Sequence, residues 1–172
     1  RDPATSIAKG ASLRCVPAPR DCPCHSGERY NACCGPYHRG TAKPETPEAL
    51  MRSRYSAFAL GLGEYLTETL ASDHPDRSMS AAELSKGLFA SWRRQRFLGL
   101  TIASANTDGD QGQVLFFARV FEKGQDRSFA ELSQFRKEAG GWRYASGVLV
   151  RKEDLPADVS SLTPEALLAL AR

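Results

Sequence analysis

Between Phe97 and Val150 the chain reads FLGLTIASA (97–105), QVLFFARVFE (113–122), RSFAELSQFRK (127–137) and WRYASGVLV (142–150). Alternating side chains and β-branched or aromatic residues give these stretches a period of two, which predicts four strands. Asp108-Gly109-Asp110 and Gly140-Gly141 lie between them and are turn formers. Upstream the period is helical. Thr46 can cap a helix that has Pro47 at its first position and Glu48 behind it. Leu50, Tyr55, Phe58 and Leu62 then recur at the spacing of a buried stripe, and Gly61 and Gly63 break it. Glu64 to Leu70 predict a second short helix. After the polar loop SDHPDRS (72–78), Ser80 starts a third, with Leu84, Leu88, Phe89 and Trp92 on one side. A short terminal helix is expected from Thr163-Pro164-Glu165. Helices first and an antiparallel meander after them define an α+β layer, a curved sheet folded over helices.

The 172 residues suit one ordinary domain with a small appendage, and 41% hydrophobic with 25% charged residues allow a packed core. No apolar run approaches the roughly 20 residues that span a bilayer, and residues 1–20 do not read as a secretory signal. The net charge of +3 is uneven. Residues 1–60 hold 9 Lys/Arg against 5 Asp/Glu, and the remainder 14 against 15. So small an asymmetry reads first as a solvated surface, and only weakly as a site for an anionic partner.

Four of the five cysteines fall within 13 positions, as Cys22-Pro23-Cys24, eight residues, then Cys33-Cys34. An odd total argues against a complete set of disulfides. With no secretion signal, the expected setting is the reducing cytoplasm, where clustered cysteines are more often metal ligands. Four thiolates can close a tetrahedral Zn2+ shell, which is the structural rather than the catalytic kind of zinc site. Gly27 lets the chain double back, and Tyr30 and Tyr37 can cover the site. A redox relay, inert buried thiols, and His38 in place of one sulfur remain as alternatives. His25 and His74 read as exposed polar residues, and Cys15 as a spare thiol.

The stretch CPCHSGERYNACCGPYHRG (22–40) resembles the SEC-C zinc motif, named for the carboxyl end of the SecA translocation motor. Its continuation LMRSRYSAF (50–58) resembles the YchJ family of bacterial proteins, as do EYLTET (64–69), FLGLT (97–101), FAR (117–119), ELSQF (131–135) and GWRY (141–144). The resemblance covers roughly residues 21–150. It implies zinc on Cys22, Cys24, Cys33 and Cys34, and a nuclear-transport-factor-2-like fold, in which a bent antiparallel sheet and helices enclose a cone-shaped cavity. It implies no particular reaction. His25 stands where the family usually has Gly, and Ser146 where an acidic residue is common. A second SEC-C motif, carried by some members, is not among these residues. The expected organisation is a flexible tail (1–20), the zinc knuckle and linker (21–46), the cone domain (47–152), and a C-terminal extension with a short helix (153–172).

The sequence contains no GxSxG, no HExxH and no phosphate-binding Gly loop. Chemistry in a cone needs a titratable base near an apolar wall. The pocket candidates are Glu131, Arg52, Arg54 and Tyr55, with Arg119 and Arg136 beside them. Phe129, Glu131, Ser133 and Phe135 share one strand face. The preferred expectation for Glu131 is an ion pair with Arg52 or Arg54 that ties helix to sheet. Those arginines, two apart on a helix, point to different sides, one toward the knuckle or a partner and the other into the core.

Two readings follow. In the preferred one the chain is a zinc-binding adaptor whose knuckle docks a protein or ribonucleoprotein partner. Nucleic acid then enters only indirectly, and the cone supports the knuckle or forms a homodimer. The alternative is a small-molecule binder or enzyme with Glu131 as pocket base. A filled cone with a paired Glu131 accords with the first. An open pocket of several hundred Å3 with a lone carboxylate favours the second.

Overall fold

The computed structural model describes residues 17–80, 82–83, 86–87, 90 and 93–171. Helix α1 (Gly35–His38), helix α2 (Pro47–Leu60) and helix α3 (Gly63–Glu68) precede the sheet. The sheet runs β1 (Gln95–Asp108), β2 (Gln111–Glu122), β3 (Gln125–Asp126), β4 (Phe129–Glu138) and β5 (Gly141–Arg151), and helix α4 (Pro164–Leu170) follows it. All pairings are antiparallel, in the order β1-β2-β4-β5, with β3 a two-residue flap on β2. The third predicted strand therefore begins at Phe129 rather than Arg127, because Gln125 and Asp126 turn back onto Glu122 and Phe121.

Thr46 caps α2 by accepting from Ala49 N at 3.1 Å, and Pro47 occupies the first turn. Ser80 and Glu83 cap each other reciprocally, Ser80 N to Glu83 Oε2 at 3.1 Å and Glu83 N to Ser80 Oγ at 3.1 Å. Ala82, Glu83, Lys86, Gly87 and Ala90 are helical behind that cap. The four apolar positions expected on this helix, Leu84, Leu88, Phe89 and Trp92, lie outside the described residues, as does Cys15.

The central strand β2 reads as a nearly unbroken apolar run because it is covered on both faces. Val114, Phe116, Ala118 and Val120 point inward, where they pack with Leu50, Met51 and Tyr55 of α2 and with Phe135 and Trp142. Leu115 points outward with Ala130, Leu132 and Val150, under Leu162 and Leu167 of the C-terminal extension. That extension is thus a second layer on the outer face, fixed by the Thr163 cap of α4. Register shifts between Phe97 and Gly99, and between Ile102 and Ser104, interrupt the pairing of β1 with β2. Irregularities of this kind bend a sheet, and they close this one over the helices. Trp142 Nε1 donates to Glu45 O at 3.0 Å and ties the linker to β5. Among the described residues no helix is long and apolar enough to cross a membrane.

Candidate metal centre and cone cavity

The knuckle begins as a minimal hairpin. Asp21 bridges Arg29, Cys22 N donates to Glu28 O at 2.9 Å, and the chain reverses through His25 (φ 58) and Gly27 (φ 86). Such left-handed angles are natural for Gly27 and unusual for His25. A single 3-10 turn, Tyr30–Ala32, then delivers Cys33 and Cys34 beside the first pair.

The four sulfur atoms all lie within 4.8 Å of one another. Cys24 and Cys33 are 3.6 Å apart, and Cys33 and Cys34 3.9 Å. These separations are far beyond an S–S bond, and all four cysteines are free. They match the edge of about 3.8 Å that a tetrahedron with Zn–S near 2.3 Å requires. The electrostatics agree. Hydrogen bonds from Cys22 and then Cys34 hold the Cys24 thiol low. The same bonding, to Cys22 and Cys24, drives Cys34 up, and burial pushes Cys33 up to about 11. One thiolate forms readily, but four cannot coexist in this space without a cation to balance them. The cluster can therefore hold a metal ion.

Tyr30 is 6% exposed and packs among the cysteines, whereas Tyr37 turns away to Ala57, Tyr65 and Leu66. His38 is not a fourth ligand, because both of its ring nitrogens are committed. Nε2 faces Ser53 O at 2.8 Å and must donate, so Nδ1 accepts from the Tyr30 hydroxyl at 2.7 Å. The imidazole latches the knuckle to α2. Arg52 adds a second tie through Nη1 to Cys24 O at 3.3 Å, steadied by Glu48 at 3.1 Å. Ser56 Oγ lies 3.9 Å from Cys22 Sγ.

Burial lowers the pKa of His38. The docked chain therefore resists protonation that the unfolded chain accepts near pH 6.5. The stability this group contributes is present above about pH 6.5 and is lost as the pH falls below it. His38→Gln is expected to flatten that part of the profile, read as urea midpoints of wild type and variant between pH 5 and 7.5. Thiolate protonation is common to both proteins, so their difference isolates the imidazole. Equal slopes would exclude the latch as a titrating element.

On the other side of α2 the inner face of the sheet leaves a cavity of about 380 Å3. Its wall includes Met51, Arg54, Tyr55, Phe97, Phe116, Phe129, Glu131 and Tyr144. Arg54, Tyr55 and Glu131 thus meet in one place. Arg52 faces the knuckle, Arg136 bonds Asp73 and Glu138 outside, and Arg119 is exposed. The expected ion pair of Glu131 with Arg52 or Arg54 does not form. Glu131 Oε1 instead accepts from Ser133 Oγ at 2.7 Å and from the Tyr144 hydroxyl at 2.9 Å. Arg54 lies over the Tyr144 ring, 4.8 Å from its centroid, and uses Nη1 on Leu66 O and Thr69 Oγ1. Tyr144 therefore stands where the salt bridge was expected. Tyr55 is also committed, donating to Gly99 O at 2.9 Å, and burial raises it to about 12. His74 is not the exposed residue expected. It is half-buried on the cavity wall, 5.7 Å from the Tyr144 ring. Gly147 makes room for the carboxylate, since a Cβ there would sit 2.2 Å from Glu131 Oε1.

Sequence reasoning missed Tyr144, although Trp142 and Tyr144 share a strand parity that pointed both inward.

A bent antiparallel sheet closed over helices, with a four-cysteine knuckle latched to its first long helix, defines a nuclear-transport-factor-2-like domain bearing a SEC-C-type motif. Residues 46–147 match the YchJ middle NTF2-like domain. The chain is 41% identical over 128 residues to the YchJ protein of Shigella dysenteriae, covering 73% of this chain and 81% of that one. It belongs to the YchJ family. A SEC-C motif containing protein from Rhodopseudomonas palustris is 37% identical, with a TM-score of 0.65, over 73% of this chain and 95% of that one. A second, from Psychrobacter arcticus, is 25% identical with a TM-score of 0.57, over 73% and 80%.

Proposed function

We propose that this protein binds a small molecule in its cone cavity and uses one Zn2+ in the knuckle as a structural brace. The carrying observation is the cavity itself, which the inward Phe side chains surround without filling. Pockets of a few hundred Å3, mostly apolar with a few convergent polar groups, are the usual form of a ligand site. Zinc is the ion that best suits a closed, all-sulfur, four-ligand shell, and such shells are structural. The role is binding rather than catalysis. Glu131 has two hydroxyl donors, and Tyr55 gives its proton to a backbone carbonyl, so neither stands as a lone base.

The experiment is a thermal-shift screen of small amphipathic molecules on zinc-loaded protein, paired with Val120→Phe, which fills the cavity wall. A ligand present at 100 times its Kd adds about 2.7 kcal/mol. At roughly 2–4 °C per kcal/mol for a chain of this size, that is about 5–10 °C. Hits are expected in the wild type and absent in the variant. A screen whose hits survive Val120→Phe refutes the cavity as the site.

An adaptor role has one observation in its favour. The outer turn of the knuckle, His25 to Arg29, is exposed while its inner side is docked. A protein partner, in the reducing cytoplasm where free thiolates persist, would engage that turn. Glu28→Ala with Arg29→Ala would then abolish its capture while leaving the thermal-shift hits unchanged.

A further inference from the structure

Arg54 is only 8% exposed, yet it faces the cavity with unused capacity. A guanidinium carries five N–H donors in a rigid fork. Nη1 is taken by Leu66 O at 2.8 Å and Thr69 Oγ1 at 2.6 Å. Among the described residues Nε and Nη2 meet no acceptor, and no carboxylate comes within 4.0 Å of the group. Burial lowers it only to about 10, so it is a cation at neutral pH. Two carboxylates of the cavity wall, Glu131 and Asp76, act on it only from a distance, so the desolvated guanidinium keeps two N–H edges with no hydrogen-bonded partner among the described residues. Glu131 makes no hydrogen bond to the guanidinium, because its Oε1 is held by Ser133 and Tyr144 and the Tyr144 ring packs against Arg54.

Resting on the small-molecule reading above, we propose that the cavity takes an organic monocarboxylate with an aromatic or branched apolar body. Its carboxylate seats on Nε and Nη2 of Arg54, and its body lies against Phe97, Phe116, Phe129 and Phe135. A planar, singly charged group matches the two-pronged face of one guanidinium. A phosphate, with more charge and more oxygens, would need donors that these Phe walls do not supply. Glu131 Oε2, which meets no donor among the described residues, is left for a hydroxyl or N–H at the far end of the ligand.

The chain contains two methionines, and they report on the two places that matter. Met51 lines the cavity, whereas Met79 is 45% exposed and is not part of its wall. Full-length, zinc-loaded protein with 13C-methyl methionine is titrated with 3-phenylpropanoate, 3-phenylpropan-1-ol and 3-phenylpropan-1-amine. The acid is expected to shift Met51 and not Met79, and to bind at least tenfold more tightly than the alcohol or the amine, as a charge-assisted pair implies. Arg54→Met should bring the acid to the level of the alcohol. If that variant does not fold, the acid-to-alcohol ratio in the intact protein decides alone. Equal affinity for acid and alcohol with Met51 shifted overturns the anion assignment but leaves the cavity as a binding site. Shifts at Met79 only, or at neither methionine, overturn both.

Discussion

Replacing Cys34 by Ser is expected to abolish the zinc binding proposed above and to release residues 21–40 from helix α2 while the sheet stays folded. Cys34 is 1% exposed and shares the sulfur cluster with three neighbours, and among the described residues His38 cannot replace it because both of its nitrogens are committed. The knuckle has almost no core of its own beyond Tyr30 and the cysteines. Beyond the His38 and Arg52 ties, the proposed zinc would supply most of its order, since such binding is worth roughly 10–16 kcal/mol in comparable zinc peptides. The sheet draws on a separate set of side chains, from Leu50 to Trp142. Elemental analysis should therefore fall from one zinc per chain to none, and hydrogen exchange should lose protection across 21–40 but not across 111–138. A Cys34→Ser protein that keeps one equivalent of zinc would refute the four-sulfur shell.

The second large effect is expected at Phe135. It is 1% exposed, sits in the inner core cluster, and meets Tyr144 edge to face at 5.9 Å. Phe135→Ala removes a ring beside an existing cavity, so the hole merges with open space and cannot collapse. Such truncations cost about 3–5 kcal/mol, which for a chain of this size lowers Tm by about 6–20 °C. Thermal and urea unfolding should agree on this loss. A change below about 1 kcal/mol would mean that the inner face is not the packed side.

The architecture was legible because its signals are local. Strand parity placed Phe129, Glu131, Ser133 and Phe135 on one face, and the structure puts all four on the cavity wall. Thr46-Pro47 marked the start of α2, and Asp108-Gly109-Asp110 marked a hairpin. The cysteine spacing announced a cluster without revealing how it is fastened. The His38–Ser53 and Arg52–Cys24 ties join residues 15 and 28 positions apart, beyond the reach of any periodicity. The cavity was not legible either. Whether inward rings meet or leave a gap depends on sheet curvature, set here by register shifts on β1 and by one between Gln134 and Phe135. That last shift pairs Phe135 with Tyr144, and Tyr144 supplies the hydroxyl that displaced the expected salt bridge to Glu131.

Helix α2 serves several neighbours at once. Its buried positions include Ser53, Arg54 and Ser56 as well as Leu50, Met51 and Tyr55, because the knuckle lies on one side, the cavity on another and α3 on a third. Few of its sites are spare. A saturation-mutagenesis map of 47–60 should show intolerance running around the cylinder rather than along a stripe. Change along this segment during divergence would then come as paired substitutions, one on the helix and one in whichever neighbour it touches.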